Sequence, residues 1–247
     1  LSVLLQTRSH QMLFDTGRGN ANSVVLPALQ SLGLHDADAL VLSHADADHD
    51  GAAANLLPQF RFRQIWAGQG EAYPHWTTHD CRDAAWQWDG VWFEWLTLPR
   101  NEVANNTNAQ SCVLRVVTQG QALLIPADTG KEEETALLQQ YGEQLHSTVL
   151  LLGHHGSSGS NSSAWLNAVA PKLAIASSGF RNSYHHPNAV VQTRLRAHGI
   201  KLYRTDAQGG VAVLLDGDLQ VLPSAGLGFW WQRKPLARLD EVGFTVK

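Results

Sequence analysis

The stretch Ser43-His44-Ala45-Asp46-Ala47-Asp48-His49-Asp50-Gly51 decides how the rest of the chain is interpreted. It follows an apolar run at 39–42 that predicts a buried strand, and it precedes a segment at 52–57 that predicts the start of a helix. Two imidazoles and two carboxylates therefore come together at the end of a strand. These are ligand types that divalent cations prefer, so the stretch predicts a metal site. The alternative is an acidic, solvated turn that happens to contain histidines.

Length and composition limit the possible architectures. The chain has 247 residues, 44% of them hydrophobic and 16% charged, with a net charge of -4. This length allows one large α/β domain or two small ones, and the lack of repeats or linker-like segments favours a single domain over 1–247. No apolar run approaches the roughly 18–20 residues that span a bilayer. The slightly negative charge argues against a large basic surface for duplex DNA, although it does not exclude a nuclease.

The order of predicted elements is strand, helix, strand, site, helix, which favours an α/β layered fold. Three apolar strands are followed directly by potential metal ligands. They are 39–42 before the opening stretch, 121–125 before Asp128, and 147–152 before His154 and His155. We therefore expect these ligands to meet at one end of the fold.

Other segments leave open questions. The region 68–89 is predicted to be irregular, and its tryptophans are interpreted as packing residues. The first residues are strand-like, and the chain does not begin with methionine. We therefore expect a piece of a longer protein whose first strand is shortened. The range 224–247 is interpreted as a C-terminal extension, either for packing or as a connection. Cys81 and Cys112 allow one disulfide or two buried thiols.

The spacing of His44, Asp46, Asp48 and His49 resembles the metal-binding signature of the metallo-β-lactamase superfamily, with Asp46 in place of the second histidine. Asp15-Thr16-Gly17 resembles the first motif of that superfamily. The aspartate variant is similar to the extracytoplasmic domain of the ComEC/Rec2 family of DNA-uptake proteins. The resemblance implies an αβ/βα four-layer sandwich, in which two mixed β-sheets are flanked by helices.

The resemblance also implies a set of metal ligands. His44 and Asp46 would bind a first ion, Asp48 and His49 a second, and Asp128 would bridge the two. One histidine of the pair His154-His155 would complete the second site, and His154 is preferred. Asp15 would orient the loop that carries the ligands.

The expected ions are divalent. In many superfamily members a further histidine completes the first site, but here that position is occupied by the segment from Asn108 to Ser111, which resembles the DNA-uptake family. Asp46 makes the first site rich in oxygen, which favours Mn²⁺, with Zn²⁺ or Mg²⁺ as alternatives.

The remaining site residues are also carried over from the resemblance. Asn182, Tyr184 and the pair His186-Pro187 resemble a family segment that would face the metals. There a histidine, His155 or His186, would bind phosphate or protonate a leaving group. Ser157 would donate a hydrogen bond to a phosphate oxygen. Cys81 and Cys112 would form a disulfide.

The function implied is a nuclease or phosphodiesterase that hydrolyses DNA, with a single strand favoured, in the periplasm. Its partners would be the membrane channel portion of the same polypeptide and other competence machinery. Two alternatives stay open. One is a hydrolase of small esters, lactams or phosphorylcholine esters, which needs a closed apolar pocket. The other is a module that guides DNA without catalysis.

Overall fold

The computed structural model describes residues 1–99, 107–215, 219–223 and 243–246. Within these residues the chain forms fifteen strands and six α-helices. The strands are β1 (Val3–Gln6), β2 (Gln11–Phe14), β3 (Asp36–Leu42), β4 (Arg61–Ala67), β5 (His79–Asp80), β6 (Trp86–Trp88), β7 (Val91–Trp95), β8 (Leu114–Val117), β9 (Ala122–Ile125), β10 (Val149–Leu151), β11 (Leu173–Ala176), β12 (Lys201–Arg204), β13 (Val211–Leu214), β14 (Gln220–Pro223) and β15 (Gly243–Val246). The helices are α1 (Val25–Ser31), α2 (Ala53–Leu56), α3 (Lys131–Tyr141), α4 (Ser163–Val169), α5 (Ala189–Ala197) and α6 (Thr205–Gln208).

The strands form two sheets. One has the order β14-β13-β15-β1-β2-β3-β4-β5, and the other has the order β12-β11-β10-β9-β8-β7-β6. Both are mixed, because β1 and β2 are antiparallel while β2 and β3 are parallel, and β8 and β9 are antiparallel while β9 and β10 are parallel. The predicted pair of mixed sheets is confirmed.

Three groups of buried side chains define the layers. The largest lies between the sheets and includes residues of β1, β2 and β3 from one sheet and of β7 to β11 from the other. A second packs α3, α4 and α5 against the outer face of the second sheet. A third packs α1 and α2 against the outer face of the first sheet. This is the αβ/βα four-layer sandwich expected from the resemblance, and that expectation is confirmed.

The apolar strands that precede the expected ligands lie in the interior of the sheets. Every residue of β9 and β10 is buried, as parallel strands covered on both faces require. Their carboxyl ends, with that of β3, therefore open onto one edge of the sandwich. The helices are all short. None of those in the described residues combines the length and apolar composition needed to cross a bilayer.

Two predictions need correction. The region 68–89 is not wholly irregular, since it contains β5 and β6. Its tryptophans do pack, because Trp66 stacks on Trp86 at 5.2 Å between ring centroids and Trp86 stacks on Phe93 at 5.1 Å. The apolar spacing over 23–32 predicts one helix, whereas the structure has the shorter α1 there, preceded by a 3-10 turn.

The C-terminal range 224–247 contains the strand β15, which pairs with β1 on one side and β13 on the other. Residues 224–242, most of the expected extension, lie outside the described part of the chain, as do residues 100–106 of the polar loop before Asn108. Because β15 has a neighbouring strand on each side, it is an interior strand of its sheet.

A disulfide joins Cys81 to Cys112, with 5.5 Å between the Cα atoms. Both cysteines are fully buried. The backbone N–H of Cys112 donates to the carbonyl of Ser43 at 2.9 Å, so the bridge also braces the backbone beside His44. The disulfide pairing implied by the resemblance is present in the structure.

Removing this bridge should destabilise the fold. The cysteines are 31 residues apart. Without the bridge the unfolded chain gains conformational entropy, and for a loop of that length this lowers the free energy of unfolding by about 3–4 kcal/mol. We expect a Cys81→Ala/Cys112→Ala variant to lose that much free energy of unfolding in urea. A reductant should lower the stability of the wild type and leave the variant unchanged. Equal stability of oxidised and fully reduced wild type, with reduction checked by thiol labelling, would contradict this.

Candidate metal centre

The expected ligands converge at the carboxyl ends of parallel strands. Asp15 follows β2, the opening stretch follows β3, Asp128 follows β9, and the pair His154-His155 follows β10. Two groups of side chains bring their ligand atoms within 4.8 Å of one another: His44, His49 and Asp128, and Asp48, His49 and His155. The fold therefore joins residues that are up to 111 positions apart, from His44 to His155.

Asp15 fixes the orientation of the loop and the tautomer of His49. Its carboxylate accepts hydrogen bonds from the Ser43 backbone N–H at 2.7 Å and from Ser43 Oγ at 2.8 Å. It also lies 2.6 Å from His49 Nδ1, and all three residues are buried. Because an ionised carboxylate can only accept, Nδ1 carries the proton. The Nε2 lone pair of a neutral His49 then points into the site.

His155 is held in the same way. Its Nδ1 lies 2.8 Å from the carbonyl oxygen of Ser177, which can only accept, so Nδ1 carries the proton here too. Its Nε2 lies 3.2 Å from His49 Nε2 and 3.1 Å from Asp48 Oδ2. When both rings are neutral, as metal ligands are, two imidazole lone pairs and a carboxylate oxygen face one another, an arrangement that a cation satisfies.

Asp128 lies between the two groups. Its Oδ1 is 3.0 Å from His49 Nε2, yet this buried oxygen has no aligned hydrogen-bond donor. Its Oδ2 is 4.0 Å from His44 Nε2, which is also buried without a partner. Unpaired buried polar atoms are rare and call for an explanation. The donor set therefore fits divalent cations bound on both sides of Asp128.

The electrostatics favour positive charge around His49. Burial alone would lower the pKa of His49, but the carboxylates of Asp15 and Asp128 raise it to about 9. Burial likewise raises the pKa of Asp128, while the neighbouring imidazoles hold it well below its usual range. The His155 ring, whose Nε2 lies 3.1 Å from Oδ2, lowers the pKa of Asp48. These carboxylates are therefore ionised, as ligands must be.

His44 is oriented by two hydroxyl groups. Its Nδ1 lies 3.0 Å from Ser43 Oγ and 3.3 Å from Ser111 Oγ. Because Ser43 Oγ donates to Asp15, it can accept from His44 Nδ1, which leaves Nε2 as a lone pair 3.6 Å from Asp46 Oδ2. Burial lowers the pKa of His44 to about 4, which favours the neutral ring. Ser111 therefore supports His44, and Asn108 begins the 3-10 turn before it.

The paired histidines differ in their neighbours and in their exposure. His155 Nε2 contacts Asp48, as described above, and its side chain is 13% exposed. The His154 side chain is 37% exposed, and its Nε2 lies 3.6 Å from Asp128 Oδ2. The partner of Asp48 and His49 is therefore His155, where the sequence favoured His154. His154 lies on the open side of Asp128.

The remaining predicted residues lie around this centre. Asn182 closes a turn, since its Oδ1 accepts from the His186 N–H at 2.7 Å and its Nδ2 donates to the His186 carbonyl at 2.8 Å. The ring of His186 is 6.2 Å from that of His154. Ser157 Oγ accepts from the Gly159 N–H at 3.4 Å, within its own turn. Asn182 and Ser157 thus shape loops, whereas His186 faces the site.

The loop of the opening stretch is braced from a neighbouring segment. Tyr73 donates to Asp50 Oδ2 at 3.1 Å, and the Ala45 N–H donates to Gln69 Oε1 at 2.9 Å. Gly68 packs so closely that an added Cβ would lie 2.3 Å from the Ser43 carbonyl oxygen. Asp50, although part of the motif, therefore bonds to Tyr73.

A buried network that the sequence did not indicate holds the turn bearing the paired histidines. His154 and His155 have φ values of 49° and 55°, a left-handed conformation that costs energy for residues other than glycine. Just before them, the Gly153 N–H donates to Asn161 Oδ1 at 3.0 Å, and Asn161 Nδ2 donates to the Gly153 carbonyl at 2.9 Å. Asn161 therefore fixes the peptide from which the strained turn begins.

Glu134 supports Asn161 in turn. Its buried carboxylate accepts hydrogen bonds from the backbone N–H groups of Asn161 and Ser162. In the sequence, Glu134 looked like one of several acids that complement the dipole at the start of α3. Neither it nor Asn161 stands near a motif, and Ser177 acts through its backbone. No residue-type pattern could have revealed these roles.

Replacing Asn161 should loosen the metal centre. In Asn161→Ala, both polar groups of the buried Gly153 peptide lose their partners, for a cost of about 2–4 kcal/mol in free energy of unfolding. Asn161→Gly also lacks the side chain, but glycine adopts the left-handed backbone conformation easily. Comparing the two variants therefore separates the effect of backbone strain from that of the lost hydrogen bonds. We expect both variants to bind metal at least tenfold more weakly in a chelator competition. Wild-type metal affinity in both would contradict this role.

Comparison with known proteins places this geometry in a family. The model of the metallo-β-lactamase superfamily matches residues 1–179. The chain is 45% identical over 239 residues to competence protein ComA of Neisseria gonorrhoeae, covering 95% of this chain and 34% of that protein. It is 31% identical over 241 residues to recombination protein 2 of Haemophilus influenzae, covering 94% and 30%. The chain thus spans about a third of the length of these curated relatives.

A solved structure shows the same architecture. The metallo-β-lactamase fold protein YhfI from Bacillus subtilis superimposes with a TM-score of 0.52 at 14% identity, covering 90% of this chain and 91% of that chain. At this identity the likeness concerns the fold alone. With the match of the family model over most of the chain, it agrees with the four-layer sandwich described above. The chain belongs to the metallo-β-lactamase superfamily.

Proposed function

We propose that this chain is a metal-dependent phosphodiesterase that hydrolyses DNA during DNA uptake. One observation carries the proposal: the imidazole lone pairs of His49 and His155 converge with ionised oxygens of Asp48 and Asp128. Similarity to two proteins whose names concern competence and recombination supports DNA as the substrate.

In this proposal the ligands form two sets that share Asp128. His44 and Asp46 would hold a first ion, and Asp48, His49 and His155 would hold a second, with Asp128 shared between them. Support comes from the 3.0 Å and 4.0 Å separations of the two Asp128 oxygens from His49 and His44.

When bound, the two ions activate water for attack on phosphorus and neutralise the charge on the phosphate oxygens. The protein supplies orientation and proton transfer. His154 lies on the open side of Asp128, where its Nε2 is placed to donate to a phosphate or departing sugar oxygen. His186 lies beyond it, and burial together with the nearby imidazoles lowers the pKa of His186. The neutral ring can accept a proton at physiological pH.

The donor set indicates the type of ion. The first set has two carboxylates, Asp46 and Asp128, and one imidazole. The second set has two imidazoles and two carboxylates. Hard oxygen ligands suit Mn²⁺ or Mg²⁺, and imidazoles suit Zn²⁺ or Mn²⁺. Mn²⁺ satisfies both sets, and we propose it as the working ion, with Zn²⁺ or Mg²⁺ as the alternatives.

The shape beside the metals favours a phosphodiester over a lactam or small ester. A cavity of about 370 Å³ adjoins His186, and polar or charged side chains line most of it, among them Arg181, Asn182 and Gln192. A small apolar substrate needs an apolar, enclosed pocket. A cavity with polar side chains and the cation of Arg181 in its lining suits a phosphate backbone better.

The buried disulfide supports an oxidising compartment, since such bonds persist outside the cytoplasm. We propose that the chain acts in the periplasm, next to a membrane channel portion of the same polypeptide and other competence machinery. A single DNA strand is the favoured substrate.

Metal counting separates the paired histidines. We expect His155→Ala to lose about one ion per chain, measured by mass spectrometry after gel filtration, because its Nε2 lies beside Asp48 and His49. His154→Ala, a change of the adjacent histidine, should retain both ions. If His154→Ala loses an ion and His155→Ala does not, the assignment of the second site is wrong.

Cleavage of DNA tests the activity directly. We expect end-labelled single-stranded DNA to be cut with Mn²⁺, and cleavage to fall to background in chelator or in Asp128→Asn, which removes the shared ligand. Asp36→Asn, a change of an exposed aspartate at the start of β3, is the matched control and should cut like the wild type. If no divalent ion supports cleavage beyond that of Asp128→Asn, the chain is not a nuclease.

Asp15→Asn should reduce cleavage about 10- to 100-fold, because it removes the charge that orients His49 without removing a ligand. Initial rates at saturating Mn²⁺ measure this effect, and a circular dichroism melt checks the fold. An unchanged rate in a folded variant would show that the carboxylate of Asp15 is dispensable.

A further inference from the structure

The loop between β11 and α5 exposes two aromatic rings beside the metal centre. Phe180 is 77% exposed and Tyr184 is 72% exposed, more than any other large hydrophobic side chain in the described residues. Both lie within five positions of sequence. Exposed apolar patches commonly mark binding surfaces, and two exposed rings on one loop are candidates for part of such a surface.

We propose that Phe180, Arg181 and Tyr184 form a site that binds the bases of an unpaired DNA strand. The inference rests on the proposed function and deepens it, because it names the form of DNA that the metal centre receives. Every base has a flat face that stacks on an aromatic ring, so such a platform binds single strands with little sequence preference.

A line of rings leads from the platform to the metal ligands. Tyr184 stacks on His186 with 5.8 Å between ring centroids and 14° between the planes. His186 lies 6.2 Å from the ring of His154, and His154 Nε2 lies 3.6 Å from Asp128 Oδ2. A base on Tyr184 would therefore place a neighbouring phosphate near Asp128.

A cation accompanies the rings. The guanidinium of Arg181 lies 5.2 Å from the centre of the Phe180 ring and also lines the polar cavity next to His186. Arg204, which lines the same cavity, is paired with Asp206 at 2.6 Å. Arg181 forms no ion pair with any described residue, so its charge is open to a phosphate while the adjacent rings take bases.

The loop is anchored, which makes the platform pre-organised. The Ser178 N–H donates to Thr205 Oγ1 at 2.8 Å at one end, and the Asn188 N–H donates to the Gly156 carbonyl at 2.8 Å at the other. Between them, Asn182 clamps His186. Rings held in place lose less entropy on binding than mobile ones.

An unpaired strand suits this surface better than a duplex. Bases within a duplex are stacked on one another, and their faces are not available to a protein ring. The net charge of -4 also gives no broad cationic surface for gripping two phosphate backbones. Stacking rather than charge is therefore the main attraction proposed.

Binding measurements on the metal-loaded chain test the proposal. The probe is a fluorescent oligothymidylate with phosphorothioate linkages, which resist cleavage, compared by anisotropy with an abasic oligomer of equal length and with duplex DNA. We expect the wild type to bind the oligothymidylate at least tenfold more tightly than the abasic oligomer. Phe180→Ala/Tyr184→Ala should lose that preference and bind at least tenfold more weakly.

Further variants separate stacking from other effects. Tyr184→Phe keeps the ring and should bind like the wild type, whereas Tyr184→Leu keeps apolar area and should bind like the alanine change. Trp92→Ala removes a half-exposed ring on β7, a strand that contributes nothing to the metal centre, and should bind normally. Because all these side chains are exposed, thermal melts should be unchanged.

The outcomes distinguish this inference from the proposed nuclease. If the double alanine variant binds oligothymidylate as the wild type does, or if the wild type binds the abasic oligomer equally well, the stacking site is overturned even when DNA is cut. If ring-dependent binding is found but no ion supports cleavage, the site stands and the nuclease proposal fails. Tighter binding of duplex than of single strand would also overturn the inference.

Discussion

The hydrogen bond between Asp15 and His49 is the interaction on which the candidate metal centre depends. Through this hydrogen bond, the buried Asp15 carboxylate keeps the proton of a neutral His49 on Nδ1, so that the Nε2 lone pair faces Asp128 and His155. The same carboxylate holds Ser43, and Ser43 in turn orients His44. A single residue outside the ligand stretch therefore determines the direction of donors in both halves of the site, as second-layer groups do in metalloproteins.

The site also depends on backbone strain that the surrounding structure maintains. Asp15, Ala127, His154 and His155 all have positive φ values, and each belongs to a loop that bears or adjoins a ligand. Left-handed residues other than glycine persist only where other contacts impose them. At the paired histidines those contacts come from Asn161, which clamps the peptide before the turn. The core of the sandwich, packed to either side, keeps these loops in register.

The two sides of the centre differ in character. Toward the interior, His44, His49 and Asp128 are buried, and Nδ1 of each histidine lies within hydrogen-bond distance of a neighbouring group. Toward solvent, His154 and His186 lead to exposed rings and an open arginine on the loop after β11. A closed interior suits the binding of ions, and an open polar exterior suits a long, flexible polymer. The difference between the two sides therefore agrees with a DNA strand as the proposed substrate.

The sequence alone predicted the class of fold, the candidate ligands of the opening stretch, and the strands that precede Asp128 and the paired histidines. These features can be recognised locally, because apolar periodicity and clusters of ligand types occur within short runs of consecutive residues. The position of His155, and not His154, beside Asp48 and His49 is visible only in the tertiary structure, since it depends on a left-handed turn and on the carbonyl of Ser177. The tertiary structure likewise decided the role of Asn161, because long-range contacts leave no pattern along the chain.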